Sequence, residues 1–174
     1  MNTLNRRTFL RNSALAAATI SWPARSWAQV AGANDTLRAA VVGIGGRGGD
    51  HIKAMVGLAS KGVRLVALCD ADSKILGARI ESLKNQNLDV RGYRDIRELL
   101  DQKDIDIVTY ATPNHWHALA TIWSCQAGKD VYVEKPVSHN VFEGRKAVEA
   151  ARKYNRIVQT GTQCRSSYAI RDAV

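Results

Sequence analysis

Short apolar runs alternate with amphipathic segments along most of the chain. Six runs rich in aliphatic and β-branched residues predict strands, at Leu37–Val42, Val63–Leu68, Val90–Tyr93, Ile105–Ala111, Val131–Val133 and Ile157–Thr160. After the first run, Ile52, Met55 and Val56 recur at the spacing of one helix face. Strands that alternate with helices in this way predict an α/β fold built on a doubly wound parallel sheet.

Three local signals mark the ends of the predicted helices. Ser73 is the predicted N-cap of the second helix, because a serine hydroxyl can accept a hydrogen bond from a free N–H group at a helix start. Asn140, with Glu143 three residues later, is typical of a capping box. Gly128 predicts the end of the helix that precedes it, since glycine adopts the left-handed conformation found there.

Length and charge narrow the classes of protein that fit this pattern. The chain has 174 residues, 45% of them hydrophobic, which suits one soluble globular core. The formal net charge is +9, but four of these charges lie in residues 1–28, which contain no Asp or Glu. The rest are spread without a basic stripe that interleaves aromatic residues, so we predict no nucleic-acid binding.

The start of the chain has the features of an export signal. Arg6 and Arg7 stand before an alanine-rich apolar run over residues 13–22, which is shorter than the roughly 20 residues needed to span a bilayer. Paired arginines before such a run predict a twin-arginine (Tat) signal peptide over residues 1–28, followed by a linker over residues 29–35. We therefore expect the Tat machinery as a partner, a periplasmic or otherwise exported product, and no stable membrane insertion. The alternative is an uncleaved anchor or an amphipathic extension.

A glycine-rich turn lies between the first predicted strand and the first predicted helix. Gly43 would permit the tight turn, Gly45 would let the backbone approach a pyrophosphate, and Gly48 would let the helix pack close to the strand. Gly46 and Arg47 complete the loop, and an anion would meet free N–H groups at the positive end of the helix dipole. The turn therefore predicts dinucleotide binding in a Rossmann-like domain; the alternative is a glycine turn that is only structural.

Asp70 lies at the end of the second predicted strand, 22 residues after Gly48. A carboxylate at this place can accept hydrogen bonds from the adenosine ribose hydroxyls, and it repels a 2′-phosphate. This favours NAD as the cofactor, with NADP as the alternative because Lys74 and Arg47 are near in sequence. A solvated Asp without a ligand is the other interpretation of Asp70.

The loop after the fourth predicted strand is the next candidate. Thr112, Pro113 and Asn114 follow that strand directly, where open α/β sheets bind ligands, so we expect them to lie beside the nicotinamide. His117 closes the same loop and is a candidate catalytic residue. The alternative is that His115 or His117 only caps the following helix.

Glu134 and Lys135 occupy the corresponding place after the fifth predicted strand. A lysine there can donate a hydrogen bond to a substrate hydroxyl or carbonyl oxygen beside the nicotinamide, and the glutamate can fix its position and charge. We therefore predict both as catalytic and cofactor-binding residues. A surface ion pair at the loop is the alternative.

Metal binding is a competing interpretation at two places. Asp70 with Asp72, and His115 with His117, put ligand-type side chains at alternate positions. A third and fourth ligand are not evident from the spacing. We therefore predict no metal site.

The three cysteines indicate neither a metal site nor a disulfide. Cys69, Cys125 and Cys164 match neither a zinc-binding nor a disulfide spacing. Free cysteine behaves as a small apolar residue. We predict that all three are buried.

Four motifs occur together in one order along the chain, at Gly43–Gly48, Cys69–Asp72, Ala111–Asn114 followed by His117, and Glu134–Pro136. With these motifs the chain resembles the N-terminal NAD(P)-binding Rossmann domain of the Gfo/Idh/MocA oxidoreductase family. The resemblance covers residues 36–165, and residues 166–174 would begin a following segment that is cut short. It implies that Lys135 acts beside the substrate and the nicotinamide.

The family pairs this domain with a C-terminal α/β domain and oxidises or reduces sugars, cyclitols and related polyols with NAD or NADP. Its main acid/base residue, usually a His, lies in the second domain, which is absent from this sequence. We therefore expect a fragment of a longer protein that is a homo-oligomer at full length; an orphan half is the alternative.

Three functional hypotheses follow from the resemblance. The first is an exported oxidoreductase that transfers a hydride between a nicotinamide and a sugar or polyol. Some family members combine a Tat signal with a firmly held cofactor, which suits a redox glycosidase with tightly bound NAD as the second. The third is a non-catalytic dinucleotide-binding module, if the chain ends at Val174.

Overall fold

Six parallel strands form one sheet in the part of the chain that the computed structural model describes, residues 36–162 and 168–172. The strands are β1 (Leu37–Val42), β2 (Val63–Cys69), β3 (Arg91–Tyr93), β4 (Ile107–Tyr110), β5 (Asp130–Glu134) and β6 (Val158–Gly161). Their order is β3-β2-β1-β4-β5-β6, and each neighbouring pair is parallel. The predicted doubly wound parallel sheet is confirmed.

Helices connect the strands and cover the sheet. They are α1 (Gly48–Gly57), α2 (Ser73–Lys84), α3 (Ile96–Leu100), α4 (His117–Gln126), α5 (Val141–Lys153) and α6 (Tyr168–Asp172). Two buried clusters form the core. One joins α1 and α2 to the sheet through residues such as Ile52 and Leu76, and the other joins α3 and α4 through Leu99 and Ala120. Because parallel sheets are buried on both faces, their strands are almost wholly apolar.

Several predicted boundaries hold, for local reasons. β1 has the predicted bounds. Gly128 has φ +74° and its N–H donates to the Cys125 carbonyl, as expected of a residue that ends a helix. Asn140 accepts a hydrogen bond from the Glu143 N–H at 2.9 Å, so its predicted role as N-cap is confirmed. The Glu143 carboxylate accepts the Asn140 side-chain amide at 3.0 Å and the His139 backbone N–H at 3.2 Å, in place of the Asn140 backbone N–H that a capping box would use.

Other boundary predictions are wrong. Each of the strands β2 to β6 begins or ends one or two residues away from its predicted bounds. The N-cap of α2 is Asp72 instead of Ser73, since the Asp72 carboxylate accepts from the N–H groups of the two residues after Ser73. β4 begins at Ile107 instead of Ile105. The reason lies in Asp106, whose carboxylate accepts the Arg38 backbone N–H at 2.8 Å in place of a backbone carbonyl.

Two of the three cysteines are described, and both are buried as predicted. Burial raises the pKa of the Cys69 thiol to about 12 and also raises the pKa of Cys125. Cys164 and the predicted signal peptide lie outside the described residues. Within the described residues, no helix is both long and apolar enough to cross a bilayer.

Candidate functional site: a crevice at the carboxyl edge of the sheet

The glycine turn is packed so closely that two of its residues must lack a side chain. Gly43 has φ +79°, and a Cβ atom added there would lie 2.8 Å from the carbonyl carbon of Ala111 and from the nitrogen of Thr112. A Cβ atom at Gly48 would lie 2.0 Å from the carbonyl oxygen of Gly43. Gly43 thus makes the tight turn against β4, and Gly48 lets α1 begin directly beside it, which are the roles the sequence suggested.

The middle of the turn is open. Gly45 and Gly46 are exposed, and a Cβ atom at Gly46 would have no atom within 4 Å. No acceptor among the described residues takes their N–H groups, whereas the N–H groups of Gly49 and Asp50 donate to the carbonyl oxygens of Gly46 and Arg47. Free N–H groups just before a helix N-terminus form an anion-binding site. The pyrophosphate of a dinucleotide therefore fits this turn.

Asp70 holds the turn to the end of β2. One carboxylate oxygen accepts the Ile44 N–H at 2.9 Å, and the other accepts the Asp72 N–H at 3.0 Å. Each oxygen keeps further lone-pair capacity, because a carboxylate can accept about four hydrogen bonds. Asp70 can therefore orient the turn and bind ribose hydroxyls at the same time.

A cleft of about 660 Å³ opens beside Asp70 and is the space for the adenosine half of a dinucleotide. Its walls include Pro113 and Trp116 from the loop after β4. Arg94 and Arg97, which no sequence motif singled out, are the basic residues that line it. Arg94 Nη2 lies 3.5 Å from the Ala71 carbonyl oxygen. Lys74 and Arg47 do not line this cleft.

A second cleft, of about 250 Å³, gathers five of the predicted nicotinamide-side residues, namely Thr112, Asn114, His117, Glu134 and Lys135. Arg47 and Ala111 complete its lining. Thr112 lines both clefts, and its buried hydroxyl has no hydrogen-bond partner among the described residues. An orphaned hydroxyl between the two clefts is a polar group that a ligand lying across them can satisfy.

Lys135 is exposed at the end of β5, just before the cis peptide bond to Pro136. Within residues 36–162 and 168–172 its ammonium group has no hydrogen-bond or ion-pair partner. The expected pairing with Glu134 is not formed in this structure. Lys135 is therefore free to donate to a ligand in the second cleft.

Glu134 instead faces α1 and the glycine turn. Its Oε1 atom lies 3.2 Å from Arg47 Nε and 3.0 Å from His51 Nε2, and its side chain is only 8% exposed. Burial raises the pKa of Glu134, but the hydrogen bonds from His51 and Arg47 outweigh burial, so the pKa lies below its usual value. Glu134 is therefore an anchored carboxylate at the end of β5, directly before Lys135. We call these two residues the Glu134–Lys135 corner.

His51 is the residue beside this corner that the sequence analysis missed. It lies in the first turn of α1, three residues after Gly48 and 83 residues before Glu134. The one sequence feature that could have indicated His51 is its position beside Ile52, since both residues lie on the buried side of the helix. Nothing in the sequence indicated its partner.

His117 is buried, and both of its ring nitrogens lie within hydrogen-bond distance of a backbone carbonyl oxygen. Nδ1 lies 2.6 Å from the Pro136 carbonyl oxygen, and Nε2 lies 2.9 Å from the Thr112 carbonyl oxygen. The ring thus ties the loop after β4 to the loop after β5. This arrangement favours a positioning role for His117, and its catalytic role stays a prediction.

The metal alternatives gain no support from these contacts. Asp70 and Asp72 accept backbone N–H groups, and the His117 nitrogens face carbonyl oxygens. Across the described ranges, no group of three or more His, Cys, Asp or Glu side chains is placed to hold a metal ion.

The fold and the crevice together define a dinucleotide-binding Rossmann domain, with the ligand space at the carboxyl ends of the strands. Residues 37–162 match the family model described as the Gfo/Idh/MocA oxidoreductase family, NAD-binding Rossmann fold. The chain belongs to this family. It is an NAD-binding oxidoreductase domain.

Curated relatives and solved structures agree with this assignment. The chain is 34% identical over 175 residues to a glycosyl hydrolase family 109 protein of Shewanella pealeana, covering 86% of this chain and 37% of the relative. It is 32% identical over 127 residues to inositol 2-dehydrogenase of Salmonella typhimurium, covering 72% and 37%. The chain thus spans well under half the length of these relatives.

Among solved structures, the WlbA dehydrogenase of Chromobacterium violaceum in complex with NADH and UDP-GlcNAcA has a TM-score of 0.73 and 29% identity. The match covers 80% of this chain and 39% of that one. The myo-inositol 2-dehydrogenase of Lactobacillus plantarum has a TM-score of 0.71 and 30% identity, covering 79% and 40%. Sugar and polyol dehydrogenases are therefore structural neighbours of this domain.

Proposed function

We propose that the chain is the cofactor half of an exported enzyme that transfers a hydride between NAD and a CH–OH group of a sugar or polyol. The observation that carries the proposal is Lys135, exposed and without a protein partner in a cleft that continues from the dinucleotide crevice. The named dehydrogenases similar to this chain act on inositols or were crystallised with a UDP-sugar.

Each residue of the crevice has a distinct task in this proposal. The glycine turn would bind the pyrophosphate and Asp70 the adenosine ribose. Pro113, predicted beside the nicotinamide, lines the adenosine cleft instead, while Thr112 and Asn114 would border the nicotinamide. A bound NAD would supply the site that takes up or returns the hydride of the substrate carbon. Lys135 donates a hydrogen bond to the substrate oxygen and stabilises its developing charge, while a base outside this domain takes the hydroxyl proton.

Export through the Tat pathway is part of the proposal. Arg6 and Arg7 before a short apolar run support it. The Tat route accepts folded proteins, so a cofactor bound before export would be carried out of the cytoplasm with the enzyme. A periplasmic enzyme of this kind would keep its NAD and recycle it in place.

A redox glycosidase is the second candidate, and the family 109 glycosyl hydrolase relative is the observation that favours it. Such an enzyme would remove a hydride from a sugar carbon, break the glycosidic bond of the oxidised sugar, and return the hydride. The NAD would end each cycle in its starting state. A firmly retained cofactor suits this chemistry as well.

The test uses the exported protein from its native host, together with whatever sequence follows in its gene. Acid denaturation of the purified protein should release about one nicotinamide dinucleotide per chain. Incubation with aldoses, cyclitols and aryl glycosides then separates the candidates: a change in bound NADH absorbance with free polyols supports the dehydrogenase, and phenol release without net NADH supports the glycosidase. A protein that binds NADH and turns over none of these compounds would be a binding module.

A further inference from the structure

His51 is one of two residues, with Arg47, that contact the Glu134 carboxylate. Its imidazole is 7% exposed, with Nε2 3.0 Å from Glu134 Oε1. An ionised carboxylate can only accept hydrogen bonds, so this contact needs the proton on Nε2. The other ring nitrogen, Nδ1, is buried and has no partner within the described residues. The contact therefore selects the tautomer with its proton on Nε2.

The ring is also held by its surroundings. Tyr132, on the same strand as Glu134, meets the His51 ring edge-on with centroids 5.5 Å apart. Glu134 and Tyr132 on β5 contact this imidazole, and Arg47, before α1, shares the Glu134 Oε1 atom with it. His51 is thus a rigid donor on α1.

The second donor to Glu134 is much less protected. The Arg47 side chain is 46% exposed, lies on the pyrophosphate-binding turn, and divides its contacts between Glu134 and Asp50. A doubly charged pyrophosphate at Gly45 and Gly46 would compete with Glu134 for this guanidinium. His51, buried behind the turn, has no such competitor.

We propose that His51 is a positioning residue for the Glu134–Lys135 corner, and that its Nε2–H keeps Glu134 anchored to α1 when the dinucleotide draws Arg47 away. Because Lys135 directly follows Glu134, an anchored Glu134 fixes the backbone from which the Lys135 ammonium reaches its ligand. The catalytic consequence rests on the proposed function, but the anchoring itself does not.

Two substitutions separate the hydrogen bond from the packing. His51→Gln keeps an N–H donor near the Nε2 position, and His51→Phe keeps a ring beside Tyr132 without a donor. The full chain, labelled with carbon-13, gives the titration of the Glu134 carboxyl group, which Glu134→Gln identifies. We expect the Glu134 midpoint to rise on the order of one pH unit in His51→Phe, with and without NADH, and to stay near the unmodified value in His51→Gln.

The protonation of the His51 ring can be measured in the unmodified chain, so this test does not depend on the folding of a variant. Nitrogen-15 shifts of the His51 ring should show a proton on Nε2, both free and with saturating NADH. An Nε2 without its proton in either state would overturn the proposal, and so would equal Glu134 shifts in His51→Gln and His51→Phe.

Kinetics of the enzyme tested under Proposed function give the catalytic consequence. His51→Phe should lower kcat about ten- to one-hundred-fold with the substrate KM within about two-fold, because a misplaced Lys135 affects the reaction more than binding. His51→Gln should restore most of this loss. Equal kcat values for both variants would contradict the positioning role. If the unmodified protein shows no turnover, the proposed function fails. The anchoring of Glu134 by His51 is then decided by the His51 nitrogen-15 shifts and the Glu134 titration alone.

Discussion

The carboxylate of Asp70 accepts the backbone N–H of Ile44 at 2.9 Å. The acidic residue at the end of β2 is therefore a partner of the glycine turn as well as a candidate ribose ligand. This contact links the adenosine end of the crevice to the loop that meets the pyrophosphate. It gives Asp70 two measurable roles, in stability and in cofactor binding.

Substituting Asp70→Asn should affect both roles. An amide oxygen can replace one of the two hydrogen bonds and leaves the other N–H group unpaired, so we expect a loss of about 1 to 3 kcal/mol in the free energy of unfolding. NADH affinity should fall at least about ten-fold, since a ribose acceptor and the orientation of the turn both suffer. Urea denaturation and NADH titration measure the two effects.

Asp72→Asn is the matched control for Asp70. Asn is as good an N-cap as Asp, so α2 should keep its cap and the stability should change by less than about 1 kcal/mol. NADH affinity should stay within about three-fold. If Asp72→Asn weakens NADH as much as Asp70→Asn does, the loss of affinity cannot be assigned to Asp70 alone, because Asp72 also lines the adenosine cleft.

Gly48→Ala should prevent normal packing of α1. The added Cβ atom would lie 2.0 Å from the Gly43 carbonyl oxygen, which is backbone and cannot rotate away. We expect a destabilisation of about 3 kcal/mol or more, measured by thermal or urea denaturation. Gly46→Ala, which places a Cβ atom in open space, should change stability by no more than about 0.5 kcal/mol. Similar stabilities for the two variants would show that the turn is not packed as described.

Lys135→Met should separate binding from catalysis. The ammonium group has no protein partner among the described residues, so its removal should leave stability and NADH affinity nearly unchanged. Loss of the donor to the substrate oxygen should lower kcat about 100-fold or more in the enzyme proposed above. Lys135→Arg keeps a cation and should retain part of the activity. Full activity in Lys135→Met would remove this residue from the proposed mechanism.

The ion pair of Arg38 with Asp106 should make stability depend on acid pH. The hydrogen bond from the Arg38 side chain holds the pKa of Asp106 below its usual value, so the pair stabilises the fold above the unfolded-state pKa and this contribution is lost as the pH falls through the folded-state pKa. Asp106→Asn should therefore cost about 1 to 3 kcal/mol at neutral pH. The difference in unfolding free energy from the unmodified chain should shrink as the pH falls through the folded-state pKa of Asp106.

Denaturant unfolding at several pH values measures this effect. Glu81→Gln, at an exposed site on α2, provides the comparison and should show no such pH-dependent gap. A gap for Asp106→Asn that stays constant on acidification would mean that the carboxylate charge contributes nothing to stability.

Local patterns predicted the fold well because they act over a few residues. The bounds of β1, the capping pair of Asn140 and Glu143, and the conformation of Gly128 each depend on near neighbours. The roles of Gly43 and Gly48 followed from their places between a strand and a helix.

Contacts between distant parts of the chain could not be predicted in the same way. His51 contacts Glu134, which lies 83 residues later in the chain. The Asp106 carboxylate accepts the backbone N–H of Arg38, which lies 68 residues earlier. Lys135 and Glu134 are adjacent in sequence, yet the carboxylate faces α1 because two donors are there. Such choices depend on how the sheet brings the loops together.

The central claim is that this chain binds NAD along the crevice from Asp70 to Lys135. Titration of the purified, nitrogen-15-labelled chain with NADH, followed through the backbone amide resonances, tests it most directly. We predict saturable binding of one NADH per chain, with the largest shifts at Gly45 and Gly46 and a clear loss of affinity in Asp70→Asn. No saturable binding, or shifts confined to the opposite edge of the sheet around Leu88 and Asp89, would contradict it.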